Sequence, residues 1–255
     1  MDVVIQSEGA DLAAHIARPR TRGAPRRPGL VLCHGFPAAP SGAGQAGSTY
    51  TELADWLASE ASWVVMAFNF RGAGASKGNF SLGGWLADLR AAVAHLRSQP
   101  DVSGVWVAGF REGGALAVCA TGDDRAIKGV AALAAPVDFE RWAVDPRRSV
   151  EEARRNGAIV DPAFPADFEA WAREFREIRP LTKVVAVPPR PLLVVHGTDD
   201  ITVPLVDARA LADAAAGDEN AGEVDFRVLS GAGHHLRHDP RAVAILLGWL
   251  ERQQI

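Results

Sequence analysis

Short, nearly continuous apolar runs recur along the chain, and the segments between them carry apolar residues every three or four positions. The first kind of run predicts buried strands, because a strand covered on both faces has no polar side to show. Leu30 to Cys33, Trp63 to Phe68, Val105 to Ala108, Gly129 to Leu133, Leu192 to His196 and Val224 to Leu229 fit that description. Val3 to Gln6 and Leu12 to Ala17 are more polar and read as an antiparallel edge. The intervening segments predict helices. Over Leu82 to Arg97, Trp85, Leu89, Val93 and Leu96 form one apolar stripe, with Ser81 placed to cap it. Asp239-Pro240 has the acid-then-proline signature of a helix start, and Val243, Leu246, Leu247 and Leu250 then share a face. Strand alternating with helix is the grammar of an α/β fold on a mostly parallel, doubly wound sheet.

Two segments interrupt the alternation. Arg18, Arg20, Arg22, Arg26 and Arg27 crowd a Pro/Gly-rich stretch, which reads as a solvated turn before it reads as an anion patch. Asp138 to Pro180 concentrates Phe139, Trp142, Phe164, Phe168, Trp171 and Phe175 between two strands. Packing alone explains such residues, yet their concentration in an insertion suggests a small helical cap over a pocket. The expected division is therefore a core of residues 1–137 and 181–255, with a helical insertion at 138–180.

Composition narrows the function classes. The 255 residues carry 27 Lys+Arg against 31 Asp+Glu, and that mild acidity argues against nucleic-acid binding. Arginine outnumbers lysine 24 to 3, a bias that fits a GC-rich, bacterial-type genome. Cys33 and Cys119 make neither a disulfide framework nor a zinc pair. No leader pattern stands at Met1 to Gln6, and no apolar run approaches the roughly 20 residues of a membrane helix. A cytoplasmic protein without membrane attachment, cofactor or metal is the expectation. Its oligomeric state is open.

The candidate chemistry falls at strand ends, where open α/β sheets place their sites. His34-Gly35-Phe36-Pro37, Gly109-Phe110-Arg111-Glu112-Gly113-Gly114, His196 to Pro204 and Gly231-Ala232-Gly233-His234-His235 each follow a predicted strand. In this order, together with Arg71 to Gly78 after an earlier strand, they resemble the α/β-hydrolase family, in particular its small esterase- and peptidase-like members with a cap. The likeness runs from Leu30 to Leu250. It implies that Asp200 is the acid and His234 the base of a triad. The backbone amides of Phe36 and Glu112 would form the oxyanion hole, and Gly109, Gly113 and Gly114 the elbow.

The family's nucleophile is replaced. Its elbow reads Gly-x-Ser-x-Gly, whereas this chain has Arg111 at the serine position. Arginine offers no lone pair for attack and stays protonated at physiological pH. Gly74-Ala75-Ser76-Lys77-Gly78 satisfies the same pattern but lies before a predicted helix that starts only near Leu82, so Ser76 reads as a loop residue. Cys119, eight residues into the elbow helix, reads as a small core residue. His235 and His238 lie near His234 without ligand-spaced partners that would indicate a metal.

A guanidinium at the elbow needs a counter-charge: Asp200, Glu112, or an anionic ligand under the cap. The last makes the site a receptor for a carboxylate or phosphate on an apolar body. Three functions remain open. One is a degenerate-triad binding or regulatory pseudoenzyme. Another is an enzyme using His234 and Asp200 with Arg111 as electrophile. The third is a hydrolase with a displaced nucleophile, Ser76 or Cys119.

Overall fold

The computed structural model describes residues 1–19, 26–37, 42–45, 47–217 and 224–253. Among the described residues eight strands form one sheet: β1 (Asp2–Ser7), β2 (Ala10–Ala17), β3 (Arg27–Cys33), β4 (Val64–Phe68), β5 (Val102–Phe110), β6 (Ile127–Leu133), β7 (Leu192–Gly197) and β8 (Val224–Leu229). Their order is β1-β2-β4-β3-β5-β6-β7-β8. The first two pairings are antiparallel and the rest parallel, so the polar amino-terminal hairpin is the edge its sequence predicted.

Among the described residues there are nine α-helices: α1 (Ser48–Ala61), α2 (Leu82–Arg97), α3 (Glu112–Asp123), α4 (Glu140–Val144), α5 (Pro146–Arg155), α6 (Phe168–Glu177), α7 (Pro180–Val184), α8 (Leu205–Ala216) and α9 (Pro240–Arg252). Alternate residues of one strand feed two cores. On β3, Val31 and Cys33 join α2, α3 and α8 on one face, while Leu30 and Leu32 join α1 and α9 on the other. That two-sided burial is why the strands lack polar alternation. Ser81 accepts the Gly84 amide at 3.0 Å and Asp239 accepts the Arg241 amide at 2.9 Å, so both predicted caps satisfy helix-end donors.

Several strands start earlier than apolar pattern indicates. β3 begins at Arg27 and β5 at Val102, because ladder hydrogen bonds continue into residues whose side chains are polar or small. The arginine-rich stretch meets this end of the sheet. Arg18 pairs with Asp101 at 2.8 Å, Arg26 donates to the Val102 carbonyl and Arg27 to that of Ser62. Arg20 and Arg22 lie outside the described residues. These contacts sit at the amino end of β5, remote from the strand ends that carry the site.

Helices α4 to α7 occupy the segment between β6 and β7, and side chains tie it to the carboxyl end of the sheet. The Trp171 indole donates to the Phe80 carbonyl at 3.1 Å, Asn156 to that of Pro37 at 2.8 Å, and Glu174 accepts the Gly83 amide at 2.9 Å. Trp142, Trp171 and Phe175 pack among themselves and against Phe80, and Trp142 meets Phe36 at 4.6 Å between ring centroids. The aromatics thus form a wall between the insertion and the core. α7 packs on α3 and α8 and so lies against the sheet's own helices. No helix among the described residues is long and apolar enough to cross a membrane.

Candidate functional site

The turn from β5 into α3 carries Arg111 at φ 59°, ψ −127°, a conformation that side-chain-bearing residues seldom adopt. Such a backbone is held by its surroundings at a strain of about 1–3 kcal/mol. The Arg111 amide donates to the Leu133 carbonyl at 2.7 Å. Gly113 backs onto the loop after β3, where a Cβ would lie 2.3 Å from the His34 carbonyl oxygen. A Cβ on Gly109 or Gly114 would likewise meet elbow backbone, at 2.3 and 2.7 Å. Gly113→Ala is therefore expected to force elbow and loop apart at about 1–3 kcal/mol, the usual magnitude of overpacking. Thermal unfolding should report it as a loss of several degrees. An unchanged melting temperature would mean the contact is not held.

The His34-Gly35-Phe36-Pro37 loop is fixed from inside. His34 Nδ1 bonds the Gly35 carbonyl at 2.8 Å and its Nε2 accepts the Phe70 amide at 3.2 Å. Burial pushes this imidazole down to about 4, so it serves as a neutral brace.

Asp200 follows β7 and His234 follows β8, and the two meet. His234 Nδ1 lies 2.8 Å from Asp200 Oδ2. Asp200 Oδ1 accepts the Thr202 and Val203 amides, both at 2.9 Å. Burial would raise this carboxyl, but the Val203 amide, His234 and the Thr202 amide outweigh it and hold it below its ordinary value. His196, fully buried, sits with Nε2 3.0 Å from the Val203 carbonyl and 3.5 Å from Asp200 Oδ2, while its Nδ1 has no hydrogen-bond partner among the described residues. It backs the Asp200 turn from below.

Arg111 completes the line. Its Nε donates to His234 Nε2 at 2.8 Å. With an acceptor at Nδ1 and a donor at Nε2, His234 carries its proton on Nδ1 and its lone pair faces the guanidinium. Of the counter-charges the sequence offered Arg111, Asp200 is thus reached only through the imidazole. Glu112 is the near one, with Oε2 3.8 Å from Arg111 Nη2.

The Glu112 side chain, which the sequence offered as a counter-charge for Arg111, has two further partners that sequence reasoning did not name. Its Oε2 accepts the Phe36 amide at 2.9 Å, and its Oε1 accepts Arg141 of α4 at 2.9 Å. Its own amide adds to the stabilisation. Burial would raise the carboxyl, but Arg111, Arg141 and the Phe36 amide together hold it below its ordinary value. The carboxylate therefore sits against the very amides that the resemblance assigns to an oxyanion. Adjacency of opposite charges at 111 and 112 was the one available signal. Nothing local in the sequence announces Arg141.

A cleft of about 360 Å³ opens beside this cluster, lined by Phe36, Arg111, Glu112, Arg141, Trp142 and Arg148 among others. It is more charged than the aromatic-rich insertion suggested, because Trp171 and Phe175 are spent on packing. The other candidates stand apart. Ser76 donates its hydroxyl to the Asn69 carbonyl at 2.6 Å and accepts the Ala13 amide at 2.9 Å. Cys119 is buried, which pushes its thiol up to about 12. His235 and His238 are exposed. Among the described residues no cluster of three His, Cys, Asp or Glu side chains is disposed to hold a metal.

A model of the prolyl oligopeptidase family matches residues 50–254. The uncharacterized protein YfhR of Escherichia coli O157:H7 is 29% identical over 161 residues, 62% of this chain; the match spans only 49% of YfhR. Est1E from Butyrivibrio proteoclasticus, solved with ferulic acid bound, superposes with a TM-score of 0.73 at 19% identity, covering 99% of this chain and 98% of that one. The Pyrococcus furiosus esterase Pf2001 gives a TM-score of 0.70 at 19% identity, covering 100% and 91%. At such identities the likeness speaks for the fold, an α/β-hydrolase fold.

Proposed function

The chain belongs to the prolyl oligopeptidase family, and from that premise we propose a protein that has given up serine hydrolysis and binds a small molecule. The ligand carries a carboxylate or phosphate on an apolar body, and residues 138–180 act as a cap beside its cleft. The observation that carries this reading is the 2.8 Å hydrogen bond from Arg111 Nε to His234 Nε2. In a triad that nitrogen takes the nucleophile's proton. Here its lone pair accepts from a donor that has no lone pair to attack with and does not release its proton at physiological pH. In subtilisin, loss of the triad serine lowers turnover by about a millionfold. On this reading Asp200 and His234 keep the acid and base positions, Arg111 the nucleophile's, and the Phe36 and Glu112 amides those of the oxyanion hole.

Arg111, Arg141 and Arg148 line the cleft together with Glu112, Asp145 and Glu152, so an anionic group is supported by its arginine side, and an apolar body by Phe36 and Trp142. The ferulic acid bound by Est1E, an aromatic acid, has this chemistry. Water activation by His234 with Arg111 as electrophile is disfavoured by the same hydrogen bond, which occupies the base. A displaced nucleophile is disfavoured by the backbone partners of Ser76 and the burial of Cys119.

The test is direct. Wild type is expected to resist labelling by a fluorophosphonate and to hydrolyse p-nitrophenyl esters no faster than His234→Ala. Stoichiometric labelling of any serine would overturn the proposal.

A further inference from the structure

Glu112 is placed as a bound ligand would be. Its side chain is 4% exposed, one oxygen accepts a backbone amide, the other a guanidinium, and a second guanidinium stands 3.8 Å away. Charge-assisted bonds of this kind are how proteins hold a carboxylate from solution. The carboxylate also lies at the first turn of α3, where the helix dipole favours negative charge. We infer that the Phe36 amide, Arg111 and Arg141 form a carboxylate-binding seat that Glu112 fills from within, and that a carboxylate on an aromatic body entering the cleft competes with Glu112 for it.

The inference rests on the reading that this site binds, and it names the regulator. Phe36 serves twice, giving its amide to the seat and its ring to the wall of the cleft, where Trp142 packs on it. An acid with one aromatic ring suits a cleft of about 360 Å³. A tethered carboxylate acts at an effective concentration in the millimolar range or above. It therefore lowers the apparent affinity for any external acid by the fraction of time it leaves the seat open. Glu112 sets a threshold that only an acid with additional contacts on Phe36 and Trp142 passes.

Sodium benzoate is the probe, with melting temperature and the Phe36 amide resonance as readouts. Glu112→Ala is expected to bind benzoate at least about tenfold more tightly than wild type, with a shift of the Phe36 amide. Adding Arg111→Leu should abolish the gain. Equal affinity in wild type and Glu112→Ala, or binding that leaves the Phe36 amide unmoved, overturns the inference. Should Glu112→Ala fail to fold, wild type at saturating benzoate gives the answer: a Phe36 shift supports the seat and its absence overturns it. Serine labelling would defeat the non-hydrolytic reading and leave this result standing, so the two failures are distinguishable.

Discussion

Arg111→Ser alone is expected to yield almost no esterase, and Arg111→Ser combined with Glu112→Ala about a hundredfold more. The single change supplies a hydroxyl to an elbow whose backbone already holds the strained conformation, with the Asp200–His234 pair in line behind it. It leaves the Glu112 carboxylate on the Phe36 amide, however, so the acyl oxygen has no donor there and meets a negative charge instead. Losing one oxyanion donor lowers turnover about a hundred- to a thousandfold in a working hydrolase. The double change empties the hole and removes one charge of each sign, which keeps the cluster balanced. Absolute rates should stay modest, since a misplacement near 1 Å already costs about a hundredfold. Turnover of p-nitrophenyl acetate by the single variant, the double variant and the double variant with His234→Ala checks the argument. Equal rates for the first two would show that Glu112 does not block the hole.

How far the sequence foretold this arrangement depends on the range of the interaction. The buried strands were legible because a two-sided core demands continuous apolar runs, and α2 and α9 because Ser81 and Asp239 announce their starts. The positions of Arg111, Asp200 and His234 were legible by order of motifs, since each follows a strand at the same end of a parallel sheet. The hydrogen-bond partner of Arg111 was not, although Glu112, one of the counter-charges the sequence offered, does stand 3.8 Å from it. Which of several nearby groups a guanidinium reaches depends on rotamers fixed by packing, and the imidazole that it chose already had a family role. Arg141 was beyond reach for a different reason. It meets Glu112 only because the aromatic wall docks α4 there, and that docking is a property of Phe36, Phe80, Trp142 and Phe175 acting together. The same wall takes up Trp171 and Phe175, while Trp142 lines the cleft.

Glu112→Gln is expected to lower stability by about 3–4 kcal/mol at neutral pH, the effect of breaking a buried ion pair from one side. The amide keeps an acceptor for Phe36 but no charge for Arg111, whose side chain is only 16% exposed. The loss should depend on pH with a definite sign. Glu112 is held below its ordinary value in the folded chain, so its contribution is complete above the unfolded carboxyl value of about 4.3. It is lost as pH falls through the lower, folded value, because the wild-type carboxylate then takes up its proton and resembles the amide. Urea unfolding at pH 7 and at successively lower pH should show the gap between wild type and Glu112→Gln narrowing below about pH 4. Arg111→Leu alters the same pair from the other side and should leave Glu112 buried with Arg141 alone. In the double variant Arg111→Leu with Glu112→Gln, the loss should be smaller than the sum of the two, since neither charge is left without the other. A gap that persists unchanged into acid would mean that Glu112 holds the elbow by shape and hydrogen bonding, and the ionic account of the seat would fail with it.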